Sequence, residues 1–208
     1  MAFIISHKYR FIYVHIPKTG GTSICYLKGN GLGCLDLLLG KEDEALPHQH
    51  AVRARGYDYP VWCSIREPYD RAVSMYHNCA KRYGWKSFDD FCHTLKSEYM
   101  FYLTNILWPQ AWYITDEDTG EMLASHFILF DQMYDGVKRL FGSIGIGSPK
   151  RLPHLQDGRD HGRVSGGRLF PEDLDEYYTD GSREVIRNIY RADFELYNNI
   201  RKTWGGVK

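Results

Sequence analysis

Lys18 stands just ahead of two glycines, Gly20 and Gly21, and two hydroxyl residues, Thr22 and Ser23, follow them. Glycine admits φ > 0 and a close approach of backbone to ligand, so amide N–H groups can be turned onto an anion, and lysine adds a mobile positive charge. Thr22 or Ser23 can cap a helix that begins here, and a helix N-terminus favours negative charge. The chemistry expected of Lys18, Thr19, Gly20, Gly21, Thr22 and Ser23 is therefore the binding of a phosphate or sulfate ester. A Walker A loop is excluded, because its lysine follows the glycines. A second cation and hydroxyl come later in Ser64-Ile65-Arg66-Glu67-Pro68-Tyr69-Asp70-Arg71-Ala72-Val73-Ser74. A guanidinium takes phosphate by its fork and a hydroxyl on the following helix adds a donor, while pairing of Arg66 with Asp70 or Glu67 is the competing reading. Between the two lies His48-Gln49-His50. Histidine titrates near neutrality and is the usual general base. A metal pair and two surface histidines are the other readings of this tripeptide.

Position has to come from the elements around these residues. Phe11 to Ile16 is a mostly apolar run that reads as a buried strand, of the kind a parallel sheet covers on both faces. It leads into the Lys18 turn and a helix over about Thr22–Leu27. Tyr59 to Ile65 reads as a second buried strand, and Pro68 opens a helix from Tyr69 to about Arg82, with an inward stripe of Tyr69, Ala72 or Val73, and Tyr76. Strand, polar turn and helix thus occur twice, the signature of an α/β fold with a parallel sheet flanked by helices. The aromatic stretch 85–113 is expected to form two or three short helices and His126–Phe130 a third strand. Met133–Phe141 is expected to form a helix stopped by Gly142, and Ser182 to Ile200 a closing helix capped by Ser182. Residues 142–168 are glycine-rich and basic with no hydrophobic period, which predicts a lid or flexible loop.

The totals narrow the function. At 208 residues the chain is read as a single domain, 1–208, with a real core. Lys+Arg and Asp+Glu are both 26, so bulk binding of nucleic acid or a membrane surface is not expected and any anion site is local. The five cysteines are odd in number and form no CxxC pair, which suits buried reduced thiols rather than a disulfide or zinc framework. No signal-peptide pattern or membrane-length apolar run is present, so a cytoplasmic location is expected.

The segment His15-Ile16-Pro17-Lys18-Thr19-Gly20-Gly21-Thr22-Ser23 resembles the 5′-phosphosulfate loop of sulfotransferases that use 3′-phosphoadenosine 5′-phosphosulfate (PAPS). The nearest variants are in carbohydrate sulfotransferases, the uronyl 2-O-sulfotransferases and their bacterial relatives among them. Arg66 and Ser74 occupy the positions of that family's 3′-phosphate motif. The resemblance implies the P-loop-NTPase-like sulfotransferase fold, PAPS as donor with adenosine 3′,5′-bisphosphate as product, no metal, and transfer to an acceptor hydroxyl, expected on a carbohydrate. It assigns Lys18 to the phosphosulfate and to support of transfer, and Thr19 to Ser23 to the phosphate oxygens. His50 is implied as the base and His48 as an acceptor-side helper, with Glu44 retained because other branches use a glutamate. Pro109-Gln110 and Phe130-Asp131 match further landmarks of the family without an assigned role. Two other functions compete: a nucleotide kinase or NTPase of related fold, which would need Mg²⁺ and ATP, and a module that binds PAPS or its product without turnover.

Overall fold

A computed structural model of the chain describes residues 3–25, 44–46, 56–97, 101–102, 104–147 and 174–204, with Thr22, Cys25 and 44–46 described by backbone alone. The strands are β1 (Phe3–Ser6), β2 (Phe11–Val14), β3 (Glu44–Leu46), β4 (Val61–Ile65) and β5 (His126–Leu129). The helices among the described residues are α1 (Gly21–Cys25), α2 (Pro68–Tyr83), α3 (Phe88–Leu95), α4 (Gln110–Ile114), α5 (Met133–Ser143), α6 (Asp180–Ile189) and α7 (Arg191–Trp204). They fall into two compact units, Met1–Ile65 with Trp112–Gly167, and Arg66–Ala111 with Arg168–Lys208.

The first unit is a five-stranded sheet in the order β3-β1-β2-β4-β5. β2, β4 and β5 run parallel, with Tyr13 opposite Trp62 and Cys63 opposite Phe127. The fold is α/β as expected, but the sheet is mixed rather than parallel: β1 pairs antiparallel with both β2 and β3. The reason is local. Only His7 to Arg10 connect β1 to β2, too short a link for a crossover, so the strands close as a hairpin. β2 and β4 are buried along their whole length, which explains their unbroken apolar runs. Ile4, Phe11, Tyr13, Ile24, Trp62 and Ile128 pack with Val137, Leu140 and Phe141 of α5. Gly136 lets α5 lie close to the sheet, since a Cβ there would meet Ile128 Cγ2 at 2.5 Å.

The second unit is helical, with Val73, Met75, Phe91, Leu95, Leu107, Ile186 and Tyr190 in its core. Pro68 occupies the first turn of α2, and Glu67 caps it by accepting from the Asp70 N–H at 2.8 Å. α2 is buried more widely than a single stripe, Arg71 through Met75 all lying inside. The expected closing helix is two helices, α6 and α7, broken at Tyr190. Thr179, not Ser182, is the N-cap; Ser182 closes the capping box from the third helical position. α5 runs one residue past Gly142, whose added Cβ would meet nothing. No helix among the described residues is long and apolar enough to cross a membrane.

Candidate functional site

In the first unit the turn from β2 to α1 carries the sequence-predicted anion loop. Lys18 has φ 67 and Gly20 φ 83, so two left-handed residues bracket Thr19 and reverse the chain within three positions. The turn closes with the Ser23 N–H donating to the Gly20 carbonyl at 2.9 Å. Gly21 has no room for a side chain: a Cβ would lie 2.1 Å from Cδ2 of the buried His15 ring. Gly20 is closed in as well, with Met133 Cε at 2.5 Å from the same construction. The glycines are thus required by the protein's own packing on their inner side, while Lys18 and Ser23 remain partly exposed. The amides of the first turn of α1 are those a helix leaves without an intrahelical carbonyl.

What holds the loop is a chain of buried hydroxyls. Thr19 is 0% exposed, and its hydroxyl donates to the Ile16 carbonyl at 2.8 Å. Ser64 Oγ on β4 lies 2.8 Å from Thr19 Oγ1 and 2.7 Å from the Tyr13 hydroxyl. A carbonyl can only accept, so Thr19 must donate to Ile16; Ser64 then donates to Thr19, and Tyr13 donates to Ser64. Each hydroxyl gives one proton, Ser64 and Thr19 each take one, and the loop is tied through Ser64 to the sheet. The Thr19 side chain is therefore occupied inside the protein, leaving its backbone N–H as what it can offer a ligand.

The second unit carries Arg66 and Ser74. Arg66 follows β4 directly, and its guanidinium grips Asp70 through Nε at 2.6 Å and Nη2 at 2.7 Å. The competing reading of Arg66, pairing with Asp70, is thus realised, in the two-pronged geometry typical of a guanidinium and an oxyanion. The main chain of Arg66 is held separately: its N–H donates to Gln110 Oε1 and its carbonyl accepts from Gln110 Nε2, both at 2.9 Å. Gln110 N–H and Ala111 N–H donate in turn to the two oxygens of Asp193, at 2.8 and 2.9 Å. Asp193 faces Arg71, Nη1 to Oδ2 at 3.7 Å, and Arg71 Nη2 donates to the carbonyls of Ile106 and Trp108. Ser74 sits two turns into α2 and is buried.

Burial sets the titration of the groups nearby. It pushes the carboxyls of Glu67 and Asp193 up, against the amides that donate to them and the guanidinium charges beside them. It also pushes up the thiol of Cys63, so that cysteine is inert, as expected of a reduced buried thiol. Cys79 and Cys92 are likewise free and buried. Among the described residues no three of His, Cys, Asp and Glu gather into a metal-binding group.

A model of the sulfotransferase family matches residues 1–198 of the chain. The chain belongs to the sulfotransferase family. Neither the curated proteins nor the solved structures hold a match to it. This sulfotransferase transfers a sulfuryl group. Lys18 to Ser23 lie on one turn of the first unit; in the second, Arg66 precedes α2 and Ser74 lies within it. His48 and His50 lie outside the described residues, as does the basic loop beyond residue 147, and Glu44 is placed only by its backbone in β3. Sequence reasoning gave no role to Tyr13, Ser64, Gln110, Arg71 or Asp193. The signals available were Ser64, a polar residue inside an apolar strand run, and Gln110, which lies in the Pro109-Gln110 landmark.

Proposed function

We propose that this sulfotransferase uses PAPS and passes the sulfuryl group to a hydroxyl, on a carbohydrate. Lys18 and the backbone amides of Thr19 to Ser23 would hold the 5′-phosphosulfate, and Arg66 with Ser74 the 3′-phosphate. When bound, PAPS supplies a sulfuryl group activated by a phosphate leaving group. The residues fit such a ligand. Arg66 already holds a carboxylate in fork geometry, and the Lys18 turn is fixed before any ligand arrives by the Tyr13–Ser64–Thr19 chain. That preorganised turn is the observation that carries the proposal.

Lys18 keeps a positive charge where negative charge grows on the departing phosphate, so it is worth most in the transition state. His50 takes the proton of the acceptor hydroxyl as the new S–O bond forms, and His48 orients the acceptor. The bond broken joins sulfur to the phosphate oxygen, and no oxidant or reductant enters. The reaction is assigned to the cytoplasm, where thiols such as Cys63, Cys79 and Cys92 stay reduced.

The test is transfer from sulfur-labelled PAPS to a panel of glycans and simple alcohols, run in chelator, with sulfated products identified by mass. Transfer is expected without added divalent metal and with release of adenosine 3′,5′-bisphosphate. Binding of that nucleotide with no acceptor sulfated at any concentration would leave a binding module; activity only with Mg²⁺ and ATP would point to a kinase.

A further inference from the structure

Arg66 is the first residue beyond β4, and both of its main-chain polar groups are satisfied by a single side chain, the amide of Gln110. Glutamine carries a donor and an acceptor on separate atoms at its tip, so one side chain can meet both groups. Gln110 is 0% exposed, so its amide makes these bonds in the interior. Gln110 is itself fixed. Its N–H and that of Ala111 are held by the two oxygens of Asp193, which is 1% exposed. Arg71 then ties the preceding stretch by the carbonyls of Ile106 and Trp108, and faces Asp193. Tyr190 adds a bond from its hydroxyl to the Leu107 carbonyl at 2.8 Å.

A buried ion pair with its satellite hydrogen bonds is a weak source of stability, because desolvation offsets much of the attraction. What such a network does supply is a fixed position. Here its bonds converge on the stretch that carries Gln110, and the free end of that stretch is spent on Arg66. An arginine fork sits at the end of a long side chain, so a small rotation of its main chain displaces the guanidinium widely. We propose that Gln110, backed by Asp193 and Arg71, is a positioning residue: it fixes the backbone of Arg66 so that the guanidinium meets the 3′-phosphate of the nucleotide in one pose. This rests on the assignment of Arg66 to that phosphate. Gln110 touches no ligand and acts through Arg66 alone.

The prediction is a selective loss. Gln110→Glu keeps the size and the acceptor but removes the donor to the Arg66 carbonyl. Calorimetric binding of adenosine 3′,5′-bisphosphate should weaken about tenfold, while adenosine 5′-monophosphate, which lacks the 3′-phosphate, should change less than about threefold. In an Arg66→Ala background the same change at Gln110 should have no further effect on either nucleotide. Gln110→Met, which fills the space without polar atoms, serves where the glutamate variant does not fold and should show the same selectivity. Equal weakening of both nucleotides, or a loss that persists in the Arg66→Ala background, overturns the positioning role and leaves Gln110 a structural residue. If Arg66→Ala by itself leaves the preference for the bisphosphate unchanged, the assignment of Arg66 to the 3′-phosphate fails and the proposal falls with it.

Discussion

Arg66 and Asp70, one helical turn apart, are joined by a two-pronged ion pair, Nε to Oδ2 at 2.6 Å and Nη2 to Oδ1 at 2.7 Å. The carboxylate takes the same fork edge that a phosphate would take. Asp70 is partly exposed and lies in the first turn of α2, so water and the helix N-terminus both support its charge once the fork is withdrawn. On the proposed assignment of Arg66 to the 3′-phosphate, Asp70 is a competitor for the nucleotide. Asp70→Asn is expected to tighten adenosine 3′,5′-bisphosphate about threefold, and Arg66→Ala to weaken it about tenfold or more. Titration calorimetry reads both; an unchanged affinity in Arg66→Ala removes the 3′-phosphate assignment.

Lys18→Ala should separate chemistry from binding. Labelled transfer from PAPS is expected to fall about a hundredfold, and affinity for the product nucleotide less than about tenfold. Normal turnover in this variant would end the role given to Lys18.

Ser64→Ala removes the middle of the hydroxyl chain and with it the bonds from Tyr13 and to Thr19, both in the interior. A loss of about 1–3 kcal/mol in denaturant unfolding is expected, and a smaller one of about 1 kcal/mol for Tyr13→Phe, which leaves the Ser64–Thr19–Ile16 part intact. Equal losses would contradict the proton order assigned to the chain.

Glu67 gives a pH dependence of defined sign. Burial raises its carboxyl above 4.5, the amides of Asp70 and Tyr69 oppose that, the Asp70 charge adds to it and the Arg66 charge reduces it. A raised pKa means that the folded chain holds the proton more tightly than the unfolded one, so this group's contribution falls as pH rises through the window above 4.5. Glu67→Gln keeps an acceptor for the Asp70 N–H and removes the titration. Melting temperature followed against pH should therefore decline less steeply in that window. A residual slope is expected from Asp193, which burial shifts in the same direction.

His50→Ala is expected to lower turnover sharply with nucleotide affinity intact. Activity at the wild-type level would move the base to His48 or Glu44, and the corresponding single variants would show which.

What could be read from the chain was what is local in it. The Lys18 turn, the strand before it, and the Pro68 helix are each set by neighbours a few residues apart, so spacing and residue type were enough. The partners of these elements are not local. Thr19 meets Ser64, Arg66 meets Gln110, and Gln110 meets Asp193, each across 40 residues or more of intervening chain. Side chains of this kind look like ordinary polar residues until the fold brings them in. The antiparallel edge was hidden because Phe3-Ile4-Ile5 is too short to declare its neighbours. The break between α6 and α7 was hidden because Tyr190 is neither glycine nor proline, and the chain turns there under the pull of tertiary packing.

Lys18 is held at φ 67, a backbone conformation that glycine or asparagine adopts far more readily. Nothing in backbone preference selects a lysine there, and holding one costs about 1 kcal/mol or more of folding free energy. A search for hardier variants of this protein, guided by stability alone, would therefore alter position 18 early. It would arrive at a sturdier fold that had lost the cation proposed to serve the transfer, which on that proposal marks the residue as a point where robustness and activity pull in opposite directions.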